Sequence, residues 1–109
     1  MPRKVPRETF ASLAARLQLP LITAVYGFGS YFRDEDVPED VDILLVFEND
    51  AVHRFREAIQ QASAYARAVG SEVGEEPHVT RLTEQEFAET NFVREVGAEL
   101  LWKRSGEKS

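Results

Sequence analysis

Two acids, Asp40 and Asp42, flank Val41 at the head of the apolar run ILLVF, and a glycine-serine pair, Gly29-Ser30, follows the earlier run LITAVYGF. Successive side chains of a strand point to opposite faces, so residues 40 and 42 share one face and Val41 takes the other. Two carboxylates so placed can chelate Mg2+, a hard cation that takes oxygen ligands and leaves part of its shell to substrate phosphates. At the lip of a buried strand the pair is electrostatically costly unless a cation or hydrogen-bond donors offset it. Gly29 lets the backbone pass close to a ligand and permits positive φ. Amides at the head of a helix that follows it would form an anion site. Ser30 adds a hydroxyl, and Arg33 a guanidinium suited to phosphate oxygens. A phosphate cradle beside a metal-chelating pair is what phosphoryl or nucleotidyl transfer requires. Each half alone also reads as something ordinary, a tight turn and a solvated acidic loop, and an accidental match on a generic α/β domain stays open.

The surrounding pattern supplies the elements that hold these residues. Phe10, Leu13, Ala14 and Leu17 fall at helical spacing, predicting a helix over 7–19 that Pro20 ends. Residues 21–26, rich in β-branched and aromatic types, predict a strand that Gly27 and Gly29 break, with a turn or short helix after it. The stretch DEDVPED is a polar surface loop, and residues 41–47 form a strand whose continuous apolar run places it centrally, covered on both faces. Asn49 or Asp50 caps the next helix, whose stripe of Val52, Phe55, Ile59, Ala62, Ala66 and Val69 faces the core until Gly70 stops it. EPHVTRL predicts a third strand, and Thr83 with Glu86 a capping box ahead of a helix with Phe87, Phe92 and Val96 on its apolar side and a break at Asn91. ELLWK reads as a short edge strand after Gly97, and the polar tail RSGEKS as frayed. The order α-β-β-α-β-α-β gives one mixed α/β domain over 1–109, its sheet backed by helices and its polar tails at about 1–6 and 105–109.

Composition narrows the chemistry further. With 109 residues and 43% apolar, the chain can bury a real core, and the absence of cysteine excludes disulfides and thiolate metal sites. The net charge of −6, with an acidic middle, disfavours nucleic acid and suits a cation. No apolar run reaches the length of a membrane span, and MPRKVPRETF lacks the apolar core of a signal peptide, so the expectation is a cytoplasmic protein. A dinucleotide fingerprint fails at Phe32, where a third glycine belongs, and Glu48 is a weak ribose acid; no Walker A sequence occurs. A hydrolase built from Ser30, His53 or His78, and Asp42 lacks the Gly-x-Ser-x-Gly elbow. Tyr31 and Trp102 could stack on a base but read first as core aromatics.

The stretch GFGSYFR…EDVDILLVF resembles the signature of the nucleotidyltransferase superfamily that includes DNA polymerase β, and above all its minimal nucleotidyltransferases. The resemblance covers residues 20–104 and implies the nucleotidyltransferase fold. It further implies Gly29, Ser30 and Arg33 as nucleotide-binding residues, and Asp40 and Asp42 as catalytic ligands of Mg2+, with Mn2+ as the alternative ion. The implied activity is transfer of a nucleoside monophosphate from ATP or another nucleoside triphosphate to an acceptor hydroxyl. One position departs: His78 stands where the family carries a third catalytic acid, unless Glu75 or Glu76 substitutes from the loop before it. An imidazole suits Zn2+ or Mn2+ better than Mg2+. The alternative implied by that departure is a catalytically weakened nucleotide- and metal-binding module. A chain this short has room for little beyond such a core, so acceptor binding is expected from a second protein or a homodimer, and the resemblance implies a small all-helical partner of the HEPN type, as in toxin–antitoxin pairs.

Overall fold

A computed structural model describes residues 2–104; the expected fraying over 105–109 lies outside the described residues, as does Met1. The elements run α1 (Arg7–Leu17), β1 (Ile22–Phe28), β2 (Asp42–Phe47), a 3-10 turn (Asn49–His53), α2 (Phe55–Val73), β3 (His78–Thr83), α3 (Glu84–Glu89), α4 (Phe92–Val96) and β4 (Glu99–Lys103). They build a four-stranded sheet of order β3-β2-β1-β4, antiparallel except for the β2–β3 pair. β2 is therefore central, and Ile43 to Phe47 are all buried, which agrees with an apolar run that shows no alternation.

Alternation along β2 sorts the two cores. Ile43, Leu45 and Phe47 join Phe10 and Leu13 of α1 and Ala62, Tyr65 and Val69 of α2 in the larger cluster. Leu44 and Val46 face the other way, under Phe87 of α3 and Phe92 of α4. Asp42 belongs to this second set, so it opens on the α3/α4 face. ELLWK forms the expected edge strand, and the helical region after Thr83 divides in two because Thr90 is extended and Asn91 restarts the chain.

Several sequence expectations need correction. Gly27 does not break β1; it pairs with Ile43 on one side and Glu99 on the other. A Cβ there would come within 2.6 Å of the Phe32 ring, so glycine lets that ring lie flat on the strand. Asn49 caps no helix of its own. It lies in the 3-10 turn, and its Oδ1 accepts from the Gln85 amide at the head of α3. That turn shifts the phase of α2: the buried positions are Ala58, Ala62, Tyr65, Val69 and Val73, while Val52 and Phe55 are 62% and 65% exposed. Gly70 sits inside α2, which ends at Gly74 with φ 90°. The leading polar residues 2–6 form an arm along the fold: the Arg3 amide donates to Val73 O (2.6 Å), and its side chain to Glu72 O.

The capping box is present in both directions: Thr83 Oγ1 accepts from the Glu86 amide (3.2 Å), and Glu86 Oε1 accepts from the Thr83 amide (2.9 Å). Thr83→Ala should lower the unfolding free energy by about 1 kcal/mol. Denaturant titration reads this directly, and an unchanged midpoint would show that α3 holds its place through Phe87 alone.

Candidate active site

The site is assembled where the C-terminal end of β1 meets the N-terminal ends of β2 and β3. Phe28 pairs with Asp42, and Asp42 pairs in turn with His78, so three consecutive strands present these residues at one level and on one face. Gly29 follows directly at φ 82° and turns the chain across the top of β2. A Cβ on Gly29 would collide with Oδ2 of Asp42, its first neighbour. The glycine-serine turn and the carboxylate are therefore in contact, at the same end of the sheet.

Residues 30–34 make a hydrogen-bonded turn and no helix. The Gly29 carbonyl accepts from the Phe32 (3.2 Å) and Arg33 (3.1 Å) amides, and Ser30 O accepts from Glu35 N (3.3 Å). Of the turn and the short helix that the sequence allowed, the turn is what forms, so no helix macrodipole acts here and any anion affinity comes from local amides and side chains. Ser30 Oγ accepts from the Glu39 amide (3.0 Å), which ties the acidic loop to the turn and leaves the hydroxyl proton free to be donated. Arg33 is turned to Glu35, its Nε and Nη2 donating to Oε2 at 3.1 and 2.9 Å, and it is exposed. Its charge still reaches Asp42.

The turn is braced from residues far away in sequence. Lys4 Nζ donates to Tyr31 O (2.8 Å) and lies over the Tyr31 ring. Tyr31, fully buried, donates to Arg3 O and accepts from the Val5 amide, both at 2.8 Å. Arg7 Nη2 donates to Phe32 O (3.0 Å), while its Nε donates to Glu99 of β4 (2.7 Å). No local sequence signal marks Lys4, Arg7 or Glu39 as supports of the site; only tertiary contact does. Tyr31 is buried in the larger core, while Trp102, half-buried, packs against it and lines a groove with Ala14 and Arg104. His53 is exposed in its 3-10 turn, remote from the carboxylates along β2.

Burial raises the pKa of Asp42 above the ordinary carboxylate value; the nearby Asp40 charge adds to this, while His78 and Arg33 oppose it. That pattern places Asp40 within electrostatic reach of Asp42. His78 Nδ1 lies 3.6 Å from Asp42 Oδ1. Glu75 and Glu76 precede β3, which starts at His78; Glu76 lines a groove with Ile59 and Ala62 of α2, on the opposite face from Asp42. Among the described residues no three of His, Cys, Asp and Glu already form a metal-holding group. Two carboxylates could supply only part of the oxygen shell of a Mg2+, the remainder having to come from water and substrate.

A raised carboxyl pKa means that the folded state binds this proton more tightly than the unfolded chain. The carboxylate then costs stability above its folded pKa, and the cost vanishes below the unfolded value. In metal-free buffer, Asp42→Asn should raise Tm at about pH 7, and the gain should disappear as the pH falls below about 4. Melts across that range check the sign; a lower Tm for the variant at neutral pH would contradict it.

No family model matches the chain, and no curated protein matches it. A solved structure of a candidate nucleotidyltransferase from Sulfolobus solfataricus aligns over 97% of this chain and 96% of its own, with a TM-score of 0.56 and 21% identity. The chain therefore has a nucleotidyltransferase-like fold, in agreement with the architecture expected from its sequence.

Proposed function

We propose that this protein is a nucleotidyltransferase that moves a nucleoside monophosphate from ATP, or another nucleoside triphosphate, to a hydroxyl on an acceptor. The observation that carries the reading is the contact between the Gly29 turn and the Asp42 carboxylate, with the Asp40 charge within electrostatic reach. Asp40 and Asp42 would hold Mg2+, which when bound neutralises phosphate charge and favours in-line attack. The Ser30 hydroxyl, positioned by the Glu39 amide, donates to the triphosphate, and Arg33 exchanges Glu35 for a phosphate oxygen. The acceptor oxygen bonds to the α-phosphorus, the bond to the β-phosphate oxygen breaks, pyrophosphate departs, and the hydroxyl proton passes to solvent. The acceptor is a second polypeptide, a small helical protein or another copy of this chain. Exposed Val52, Phe55 and Leu100 offer apolar surface for such a contact. Among the described residues no helix is long and apolar enough to cross a membrane.

A second reading, a nucleotide- and metal-binding module that acts through its partner in the manner of an antitoxin, is favoured by His78, an imidazole in place of a carboxylate beside Asp42. Incubation with α-labelled ATP, Mg2+ or Mn2+, and the candidate partner separates the two. Label on the acceptor supports the enzyme. No label with either ion, together with a nucleotide-dependent rise in Tm, supports the module. Neither label nor a rise would remove both.

A further inference from the structure

We propose that the outer edge of β3 pairs with the same edge of a second copy of this chain, antiparallel about a twofold axis at Thr80. β3 is bonded to β2 on one side and ends the sheet. The His78 amide donates to Val41 O (2.9 Å), which fixes the phase of the strand. Residues 78, 80 and 82 turn their backbone groups to β2, and residues 77, 79, 81 and 83 turn theirs outward. Two of those outward positions are closed. Pro77 has no amide, and the Thr83 amide is taken by Glu86 Oε1 at 2.9 Å. That leaves Val79 and Arg81, whose amides and carbonyls no described residue meets.

Such a two-residue edge is complementary to itself. With Thr80 opposite Thr80 of the second copy, Val79 of each chain faces Arg81 of the other, and each of these pairs exchanges two hydrogen bonds. All the open amides and carbonyls are then satisfied, and the ladder stops where Pro77 and Thr83 meet. The other sheet edge is less regular. β4 pairs with β1 across a register shift, whereas β3 keeps unbroken register with β2 from His78 to Thr83. A regular open edge is the better template for a further strand.

The side chains fit the same axis. On the face of Asp42, Thr80 meets Thr80, and Leu82 of the second copy packs on His78, whose side chain is 69% exposed in the single chain. On the opposite face Arg81 and Glu76 line one groove with Pro77 and Val79. Both are exposed, and neither makes an ion pair among the described residues. Across the axis Arg81 lies over Val79 of the second copy, next to its Glu76, so an unpaired base and an unpaired acid become two reciprocal pairs. The dimer also reaches the margin of the candidate site, since His78 Nδ1 lies 3.6 Å from Asp42 Oδ1. A contact of this extent belongs at the lower end of specific interfaces, where a dissociation constant on the order of 10 µM is expected.

Sedimentation equilibrium of the full chain, over concentrations that bracket that value, tests the pairing. Val79→Pro deletes an outward amide that the single chain does not use. It should keep the circular dichroism of the parent and remain monomeric at about ten times the parent's dissociation constant. Arg81→Glu and Glu76→Arg should each weaken association by about tenfold or more, and the two together should return it to within about threefold of the parent. The reversal and its rescue decide the matter even where the proline variant loses its fold. A parent still monomeric at about 100 µM, a species larger than a dimer, or a dimer indifferent to the proline would overturn the proposal. So would a combined variant that fails to recover. None of these changes touches Asp42 or the Gly29 turn, so the transfer chemistry stands or falls separately.

Discussion

Asp40→Ala/Asp42→Ala should keep the fold, lose the rise in Tm produced by a divalent ion with ATP, and lower label transfer by a factor of about a thousand or more. The fold is expected to persist because the Asp42 carboxylate is held at a cost. Burial raises its pKa and the Asp40 charge raises it further, so deleting both charges relieves the folded state. The ligand effect is large because it acts by mass action. At a concentration about a hundred times the dissociation constant, binding adds about 2.7 kcal/mol, enough to move the Tm of a domain this size by about 10 °C or more. The drop in transfer follows from the several kcal/mol of charge stabilisation that a metal ion contributes to a phosphoryl centre, each 1.36 kcal/mol being about tenfold in rate. Transfer that survived in the double variant would place the reaction elsewhere on the molecule. A variant that failed to fold would show that the acids are structural, against the direction of the Asp42 shift.

What the sequence discloses here is what short-range physics decides. The continuous apolar run behind Asp42 marks the central strand, and Thr83 and Glu86 mark the head of α3, while β2 begins only at Asp42 and so leaves Asp40 outside the alternation that would set its face. What it withholds depends on contacts between distant residues. Gly27 reads as a breaker until the Phe32 ring is seen lying on it. The stripe through Val52 and Phe55 reads as core because a five-residue 3-10 turn has the same composition as a first helical turn but a different phase. Tyr65 escapes notice in the helix because its hydroxyl donates to Phe10 O across the core, a partner 55 residues away. Within the site, the spacing of Gly29, Asp42 and His78 along the chain is legible, while their meeting at one level needs the β1–β2 and β2–β3 registers. The pairing of Arg33 with Glu35 is local, two residues apart, yet a basic side chain near a phosphate cradle gives no hint of its resting partner.

The second large effect belongs to the turn. Gly29→Ala should lower the unfolding free energy by about 1–3 kcal/mol and weaken ion binding at the same time. Two costs combine: φ is 82°, where a side chain strains the backbone, and the new methyl group would occupy space held by Oδ2 of Asp42. Gly97→Ala separates them. Gly97 also has positive φ, 67°, but its added Cβ meets nothing within 4 Å, so that variant should show the backbone cost of about 1 kcal/mol and unchanged Mn2+ affinity. The steric part can be isolated by a double-mutant cycle. If the methyl group acts through Asp42, then Gly29→Ala should cost less in an Asp42→Ala background than in the parent chain, with a coupling of about 0.5–3 kcal/mol. Strict additivity would mean that the turn and the carboxylate are independent in solution. The Gly29 turn would then have no hold on where the Asp42 carboxylate points, and an ion on that carboxylate would not be delivered to a phosphate on the turn.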